Sequence, residues 1–533
     1  MNTSDRPNIL WISLEDTTPR FGCYGDAIAR TPNIDQLAAS GCRFPNAFST
    51  AGVCAPSRAA IITGMYQTSI GTHHMRTGLR NRNTPQNLIP YSAVPPPYVK
   101  TFTEYLRGAG YYCTNNSKTD YQFTPPITAW DDNSNNGHWR NREEGQPFFS
   151  VFNPTVTHES GMWDQGDRPL TTNPDDVQLP PYLPDTPKAR QSLARHYDNL
   201  TTADARVGEL LDQLEEDGLA ENTIVFLWSD HGEGLPRGKR WLYDAGIRIP
   251  LIIRWYGELK PGSKSDQLVS LIDLGPTVLS LCDVQTPQHL QGQPFLGIHT
   301  VKRDYIFASR DRIGASYDTV RAVRNKRYKY IRNYYPEKTY LPWSPYRNRH
   351  SVMQEMWRLY PEGKLEGDQL TMFRSRPAEE LYDVENDEHE LNNLAEDIAY
   401  INVLEELRGT LTKWQSEFGD MGDISEEQMV ASWYPGGIQP QTASPIFIPI
   451  NASNPGREPA NENGEWEAPL LLQLHCSTQG ASIAYTMEQG EDVHWKLYTE
   501  PLRIPKGKTT VRTKAIRIGY KESDENTLNI SVS

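Results

Sequence analysis

The chain has 533 residues, more than one compact core accommodates, so two or three domains are expected. A formal net charge of −14 and a pI of about 5.4 exclude a general nucleic-acid binder, and an acidic protein that handles an anionic substrate must gather positive charge locally. No run approaches the roughly 20 apolar residues that span a bilayer, so no membrane span is expected.

Residues 1–7 lack the charged start and apolar stretch of a signal peptide. A cytoplasmic protein is expected, or a periplasmic or secreted one if a leader has been removed. The six cysteines (Cys23, Cys42, Cys54, Cys113, Cys282, Cys476) are scattered without metal-type pairing. A disulfide framework is not expected in a chain this long, and only Cys54 has a context that suggests chemistry.

Asn8–Leu14 (NILWISL) is a short apolar run that reads as a buried strand ending on Glu15-Asp16. Pro32–Ser40 reads as a helix, with proline in its first turn and Gly41 just beyond its end. A second helix over 55–63 opens directly after Cys54 and closes at Gly64. Phe148–Phe152 is another strand, and a long helical pattern over 193–218 leads into a strand over 223–228. That strand ends on Ser229-Asp230-His231-Gly232; residues 247–255 give a further strand and 271–282 a helix. The alternation implies an α/β fold with helices on both faces of a mostly parallel sheet. Function in such sheets gathers at the carboxyl ends of strands, so the two acidic strand ends are expected to meet at one site.

After about residue 300 the composition changes. Residues 321–333 (RAVRNKRYKYIRN) and 335–349 are basic and aromatic, and a helical stretch over 397–418 follows. Residues 434–465 are rich in Pro, Gly, Asn and Ser, as a linker would be. From Trp466 onward, short runs (LLLQLHC, SIAYTM, TTVRTKAIRI) separated by turn residues read as a small β-sandwich. The expected division is an α/β domain over 1–300, a smaller α+β subdomain over 301–433, a linker over 434–465 and an Ig-like β-sandwich over 466–533.

Cys54-Ala55-Pro56-Ser57-Arg58, continuing through Thr63-Gly64, resembles the sulfatase signature C-x-P-S-R-x-x-x-[LI]-T-G. The resemblance implies that a formylglycine-generating enzyme oxidises Cys54 to formylglycine (3-oxoalanine) during maturation. The hydrated aldehyde is a geminal diol: one hydroxyl attacks sulfur, and loss of the other's proton expels sulfate. Cys54 stands at a helix N-terminus, where N–H groups and the dipole favour an anion. Arg58, one turn on, can reach back to the nucleophile or the sulfate.

Glu15-Asp16 and Asp230-His231 match the positions where sulfatases hold a divalent metal, usually calcium. A hard cation takes oxygen ligands, and several carboxylates near one point are tolerable around such a charge. Glu15 stands where most relatives have Asp and His231 where many have Asn, so His231 is either a ligand or a neighbour of the sulfate. Lys118, in GYYCTNNSKTD, matches the segment G-K-x-H, with Asp120 replacing the histidine on the substrate side. His158 (FNPTVTHES) matches a histidine that contacts the bridging oxygen or sulfate, and Lys239 (GKRWLYDAGIRIP) the lysine that protonates or stabilises the leaving oxygen. Arg248 reads as a structural anchor. His73 and His74 are read as facing the substrate, and Arg310, Arg312, Trp343, Arg347 and His350 as lining an entrance suited to sugar rings and acidic groups.

With ENTIVFLWSDHGE, LIDLGPTVLSL and ELYDVENDEHELNNLA, these segments span about 7–400. By them the chain is identified as a member of the type I, formylglycine-dependent sulfatases of the alkaline-phosphatase-like superfamily. EDTTPRFGCYGD and GMYQTSIGTHHMRT look most similar to the heparan N-sulfatase-like group and its bacterial polysaccharide-acting relatives. The tail (GASIAYTM, LYTEPLRI, VRTKAIRIGY) resembles the Ig-like C-terminal domain of β-hexosaminidases. The resemblance implies an α/β sandwich with a large mixed, mostly parallel sheet, and hydrolysis of sulfate esters on a sulfated polysaccharide or an oligosaccharide derived from it. Alternatives are an N-sulfoglucosamine sulfamidase, a phosphonate or phosphate monoester hydrolase, and a catalytically silent binder of sulfated glycans with an unmodified Cys54.

Overall fold

The structure, a computed structural model, describes residues 6–78, 84–163, 168–460 and 463–533. Asn8–Leu14 and Thr223–Ser229 are buried at every residue, as strands in the middle of a sheet covered on both faces must be. They pair in parallel, from Asn8 opposite Thr223 to Leu14 opposite Ser229, so both acidic ends emerge on the same edge. The full sheet has eight strands in the order Ser263–Lys264, Cys42–Arg43, Leu251–Arg254, Thr223–Ser229, Asn8–Leu14, Phe148–Phe152, Tyr112–Asn116 and Asp132–Asn133. It is parallel from Thr223–Ser229 to Asp132–Asn133 and turns antiparallel at Leu251–Arg254, which makes it mixed and mostly parallel.

Successive side chains of a strand point to opposite faces, and Asn8–Leu14 feeds two cores accordingly. Leu10, Ile12 and Leu14 pack with Leu193, Leu200 and Val207 of the helix Pro187–Glu216. Ile9 and Trp11 pack with Ile61 and Ile62 of the helix Cys54–Thr63 and with Leu274 and Val278 of Leu274–Leu281. The long helix starts earlier than its apolar periodicity suggests, because Thr186 caps it by accepting the Ala189 N–H. The strand expected over 247–255 is broken: Asp244–Ile247 is helical, and Arg248–Ile249 and Leu251–Arg254 are separate strands. Pro250 lies between the two strands; it has no N–H to give to a ladder.

Beyond residue 300, Ile306–Arg310, Val320–Arg324, Tyr328–Asn333 and Glu379–Asp383 form a four-stranded antiparallel sheet. The helix Ile401–Phe418 covers it with Leu404, Leu407, Leu411 and Trp414, spaced along one helical face. Arg321 is fully buried between Asp311 and Asp420, at 3.0 and 2.6 Å. Arg321→Ala should cost about 3–5 kcal/mol, because it leaves two buried carboxylates without their counter-charge. A urea unfolding midpoint indistinguishable from wild type would contradict this.

In the tail, Ile446–Ile450 lies within the stretch read as a linker, yet it pairs antiparallel with Leu470–His475. The β-domain is docked onto the α/β domain. Lys100 Nζ donates to the Gly480 carbonyl oxygen and Arg107 Nη2 to that of Trp495, each at 2.7 Å, and Ile518 enters the same core as Trp11. Among the described residues, no helix is long and apolar enough to cross a membrane.

Candidate active site

The carboxyl ends of Asn8–Leu14 and Thr223–Ser229 and the N-terminus of Cys54–Thr63 converge on one buried cluster. Asp16 turns back into it with a left-handed backbone (φ 50°), which Asp tolerates better than most residues. The Asp16 N–H donates to Asp230 Oδ1 at 3.3 Å, tying the two strand ends together. Gly232 lets the following loop close, since a Cβ there would lie 2.1 Å from the Ala245 carbonyl oxygen.

Cys54 is fully buried, and its Sγ lies 3.2 Å from His231 Nε2. His231 Nδ1 faces the Gly232 carbonyl oxygen at 2.9 Å, so a proton belongs on Nδ1 and Nε2 is the nitrogen presented to the site. That Nε2 is 3.1 Å from Asp16 Oδ1 and 3.7 Å from Asp230 Oδ1. Arg58 donates from Nε to Asp230 Oδ2 (2.9 Å) and from Nη1 to Asn153 Oδ1 (2.9 Å), and its Nη2 lies 3.8 Å from Glu15. Lys118 Nζ is 2.7 Å from Glu15, and Lys239 Nζ is 2.7 Å from Asp16 Oδ2. Lys239 Nζ also stands 3.2 Å from both His158 Nε2 and Glu159. Arg240 is held by both oxygens of Glu159, at 2.9 and 2.6 Å.

Glu15, Asp16 and Asp230 are thus matched by Arg58, Lys118 and Lys239. Burial opposes ionisation of Asp230, but His231, Arg58 and Lys118 outweigh it and hold its pKa at about 2. Burial also works against charge on His231; Asp230, Cys54 and Asp16 reverse the balance and raise its pKa well above the ordinary value. For Cys54, burial favours the neutral thiol, yet Lys239 and Lys118 bring its pKa well below the usual range. The cluster is therefore built to stabilise negative charge at residue 54.

The same cluster fits a divalent cation. Glu15 Oε1 and Asp16 Oδ1 are buried and meet no hydrogen-bond donor in bonding geometry. Lys118 Nζ at 2.7 Å from Glu15 Oε1 and His231 Nε2 at 3.1 Å from Asp16 Oδ1 face these oxygens without closing a well-directed hydrogen bond, which leaves their lone pairs available to a hard cation. Ligand atoms of Cys54, Asp230 and His231 lie within 4.8 Å of one another, as do those of Asp16, Cys54 and His158. A cavity of about 310 Å³ opens over this cluster, lined by Val53, His158, Lys239, Arg240 and Tyr346 among others.

Residues 7–284 match the sulfatase family, and residues 232–367 match the C-terminal region of N-sulphoglucosamine sulphohydrolase. The chain is 42% identical to an ulvan-active sulfatase of Formosa agariphila, over 97% of this chain and 90% of that relative. The chain belongs to the sulfatase family. It is 28% identical to the N-sulphoglucosamine sulphohydrolase of Homo sapiens, over 78% of this chain and 90% of that enzyme. The solved structure of a 2-O GAG sulfatase shares the fold, with a TM-score of 0.60 at 20% identity, covering 79% of this chain and 94% of that one. As a member of this family the protein is a sulfuric ester hydrolase with an alkaline-phosphatase-like fold.

The sulfatase brings Cys54, Arg58, Lys118, His158, Lys239, Glu15, Asp16, Asp230 and His231 together. The residues expected at a substrate entrance are arranged differently. His73 and His74 are buried side by side, ring centroids 4.1 Å apart, and neither lines the cavity. Burial, then Arg321, pushes the His73 pKa down to about 4. Met75, not either histidine, packs beside Cys54. Arg312 is locked to Glu426 at 2.5 and 2.6 Å. Arg310 lies over the Trp241 ring at 3.7 Å and 3.1 Å from Asp318. His350 is buried and caps the helix Ser351–Leu359 by accepting the Val352 N–H. These positions carry packing and charge pairing rather than an open entrance. Asp120 does reach an accessible surface, paired to Arg76 at 2.8 Å.

Asn153, Glu159, Arg240 and Arg76 were not singled out by the sequence. Asn153 follows the strand Phe148–Phe152, so the strand-end rule points to it. Glu159 and Arg240 are the immediate neighbours of His158 and Lys239. Nothing local marks Arg76.

Proposed function

We propose that this sulfatase hydrolyses sulfate esters of a sulfated polysaccharide, or of oligosaccharides cut from it, through formylglycine at position 54 and a calcium ion. The observation that carries the reading is the complete maturation signature, with residue 54 seated at a helix N-terminus among Lys239, Lys118 and His231. The ulvan-active relative makes ulvan fragments the first substrates to test.

Glu15, Asp16 and Asp230 would hold the calcium, with His231 Nε2 joining them only once it has given up the proton it carries in the metal-free protein. Calcium, when bound, would draw charge from the sulfate and ease deprotonation of the attacking hydroxyl. Lys118 and Lys239 take sulfate oxygens as residue 54 attacks sulfur, and Arg58 keeps Asp230 oriented. The S–O bond to the sugar breaks and the sugar oxygen leaves with a proton. The second hydroxyl of residue 54 then loses its proton, the C–O bond to sulfate breaks, and the aldehyde returns.

A sugar alkoxide is a poor leaving group, so the bridging oxygen must receive a proton as its bond breaks. His158 lines the cavity beside Lys239 and is the proposed donor. With an unmodified cysteine at 54 and no metal, burial and Lys239 disfavour its charged form, but Asp16 and Cys54 prevail and raise its pKa. His158→Ala should lose roughly 100-fold or more on a sugar sulfate, and far less on an activated aryl sulfate. Equal losses on both would make His158 a sulfate binder only.

The match of residues 232–367 to the N-sulphoglucosamine sulphohydrolase C-terminal region favours a second reading, cleavage of an N-sulfate. A screen of ulvan fragments, O-sulfated oligosaccharides and N-sulfated glucosamine, read by released sulfate, separates the two. Turnover of the N-sulfate alone would replace the ester reading, and no sulfate from any glycan would overturn both.

A further inference from the structure

Next to the catalytic cavity lies a second, open groove of about 560 Å³, within the range of about 300–1,000 Å³ typical of small-ligand sites. Its accessible wall is formed by Arg76, Pro90, Asp120 and Thr124, while Tyr91, Tyr121, Phe123 and Tyr434 lie buried behind it. Arg76 belongs to the walls of both the groove and the catalytic cavity. Both sides of the junction are chained to the catalytic cluster: Arg76 follows Met75, which packs beside Cys54, and Thr119 and Asp120 follow Lys118.

Arg76, Asp120 and Gln122 all take left-handed backbone, with φ of 66°, 56° and 61°. Side-chain-bearing residues rarely adopt it, and such positions cluster where a chain holds groups toward a ligand. Arg76 gives one hydrogen bond, from Nη1 to Asp120, and its side chain is 43% exposed. Among the described residues this is its one side-chain hydrogen bond, and the remaining N–H groups of the fork suit a planar or tetrahedral anion at the junction.

We propose that the groove is a subsite for the sugar next to the sulfated one, and that Arg76 recognises an anionic substituent, a carboxylate or a second sulfate, on that sugar. This rests on the carbohydrate sulfatase reading and narrows the substrate to a chain carrying negative charge on adjacent units. Asp120 can accept from hydroxyls of that sugar while Arg76 takes its anionic group. Arg76 is a specificity-determining residue rather than a catalytic one.

The test compares wild type and Arg76→Gln on a sulfated monosaccharide and on an oligosaccharide whose neighbouring sugar is a uronate. A carboxyl-reduced copy and a copy with a second sulfate complete the set. Arg76→Gln should lower kcat/KM on the anionic oligosaccharide about 10- to 100-fold, mainly through KM. The loss on the monosaccharide should be at least tenfold smaller. Arg76→Lys should recover part of the loss, since it keeps the charge without the fork. If carboxyl reduction abolishes the difference between wild type and variant, the anion is the carboxylate. If only the second sulfate creates that difference, the anion is the sulfate. Equal losses on monosaccharide and oligosaccharide, or a difference that persists on neutral neighbours, would overturn the proposal. Binding of the desulfated uronate oligosaccharide to Cys54→Ala, followed by titration calorimetry, needs no turnover. Affinity that Arg76→Gln weakens supports the groove even if no sulfate is released, whereas affinity indifferent to Arg76 overturns it.

Discussion

Cys54→Ala should lower turnover by at least about 10,000-fold while the protein stays folded, because in the proposed mechanism the group removed makes and breaks the bond to sulfur. Cys54 is fully buried among Val53, Ala55 and Met75, so the smaller side chain fits without a clash. Cys54→Ser is the sharper probe. Its single hydroxyl can attack sulfur but lacks the second hydroxyl that expels sulfate, so it should stop after at most one turnover with sulfate attached. Multiple turnovers by either variant would remove residue 54 from the chemistry. The measurement is sulfate release under single- and multiple-turnover conditions, with circular dichroism to confirm the fold.

The next largest effect is expected at the cation site. Asp16 faces His231 through one oxygen and Lys239 through the other, and its own N–H reaches Asp230. Asp16→Ala removes a candidate ligand and leaves Lys239 and His231 with less opposing charge. Activity should fall by roughly 100- to 1,000-fold, the loss expected when one charge-stabilising group leaves a preorganised site. Wild type should lose activity to a chelator and regain it with calcium. The stability readout is independent of turnover: a ligand bound only by the folded state adds about 2.7 kcal/mol at 100 times its Kd. Calcium should therefore raise the Tm of wild type and leave that of Asp16→Ala unmoved. Equal shifts in both proteins, or none in wild type, would contradict this assignment.

The elements nearest the chemistry were the most legible in the sequence, because their signals are local. Asn8–Leu14 is an unbroken apolar run that stops sharply on two acids, and Thr223–Ser229 ends the same way. Parallel pairing in register brings those ends together, as a covered sheet of this kind implies. The helix beginning at Cys54 was read one residue late, since the signature residue itself opens it. The run over 247–255 was read as one strand although Pro250 divides it, the apolar character having masked the missing N–H.

What the sequence did not reveal is long-range pairing. Arg312 looked available for substrate, but its partner Glu426 lies 114 residues away, and the fold closes that pair into the interior. Arg310 spends its guanidinium on Trp241 and Asp318. His73 and His74 follow the signature helix closely, yet the chain turns at Gly71 (φ 73°) and it is Met75 and Arg76 that meet the cavity. The stretch that reads as a linker holds Tyr434 and Gln439, which border the groove, and a strand of the β-domain. Proline and glycine content described its local backbone but not what that backbone packs against.

The central claim is that an aldehyde at position 54 performs the chemistry. Mass spectrometry of the peptide spanning Cys54, taken from preparations of graded specific activity, tests it most directly. The expected result is a fraction carrying formylglycine that rises in proportion to sulfate release. Full activity in protein whose residue 54 is entirely unmodified cysteine would contradict it.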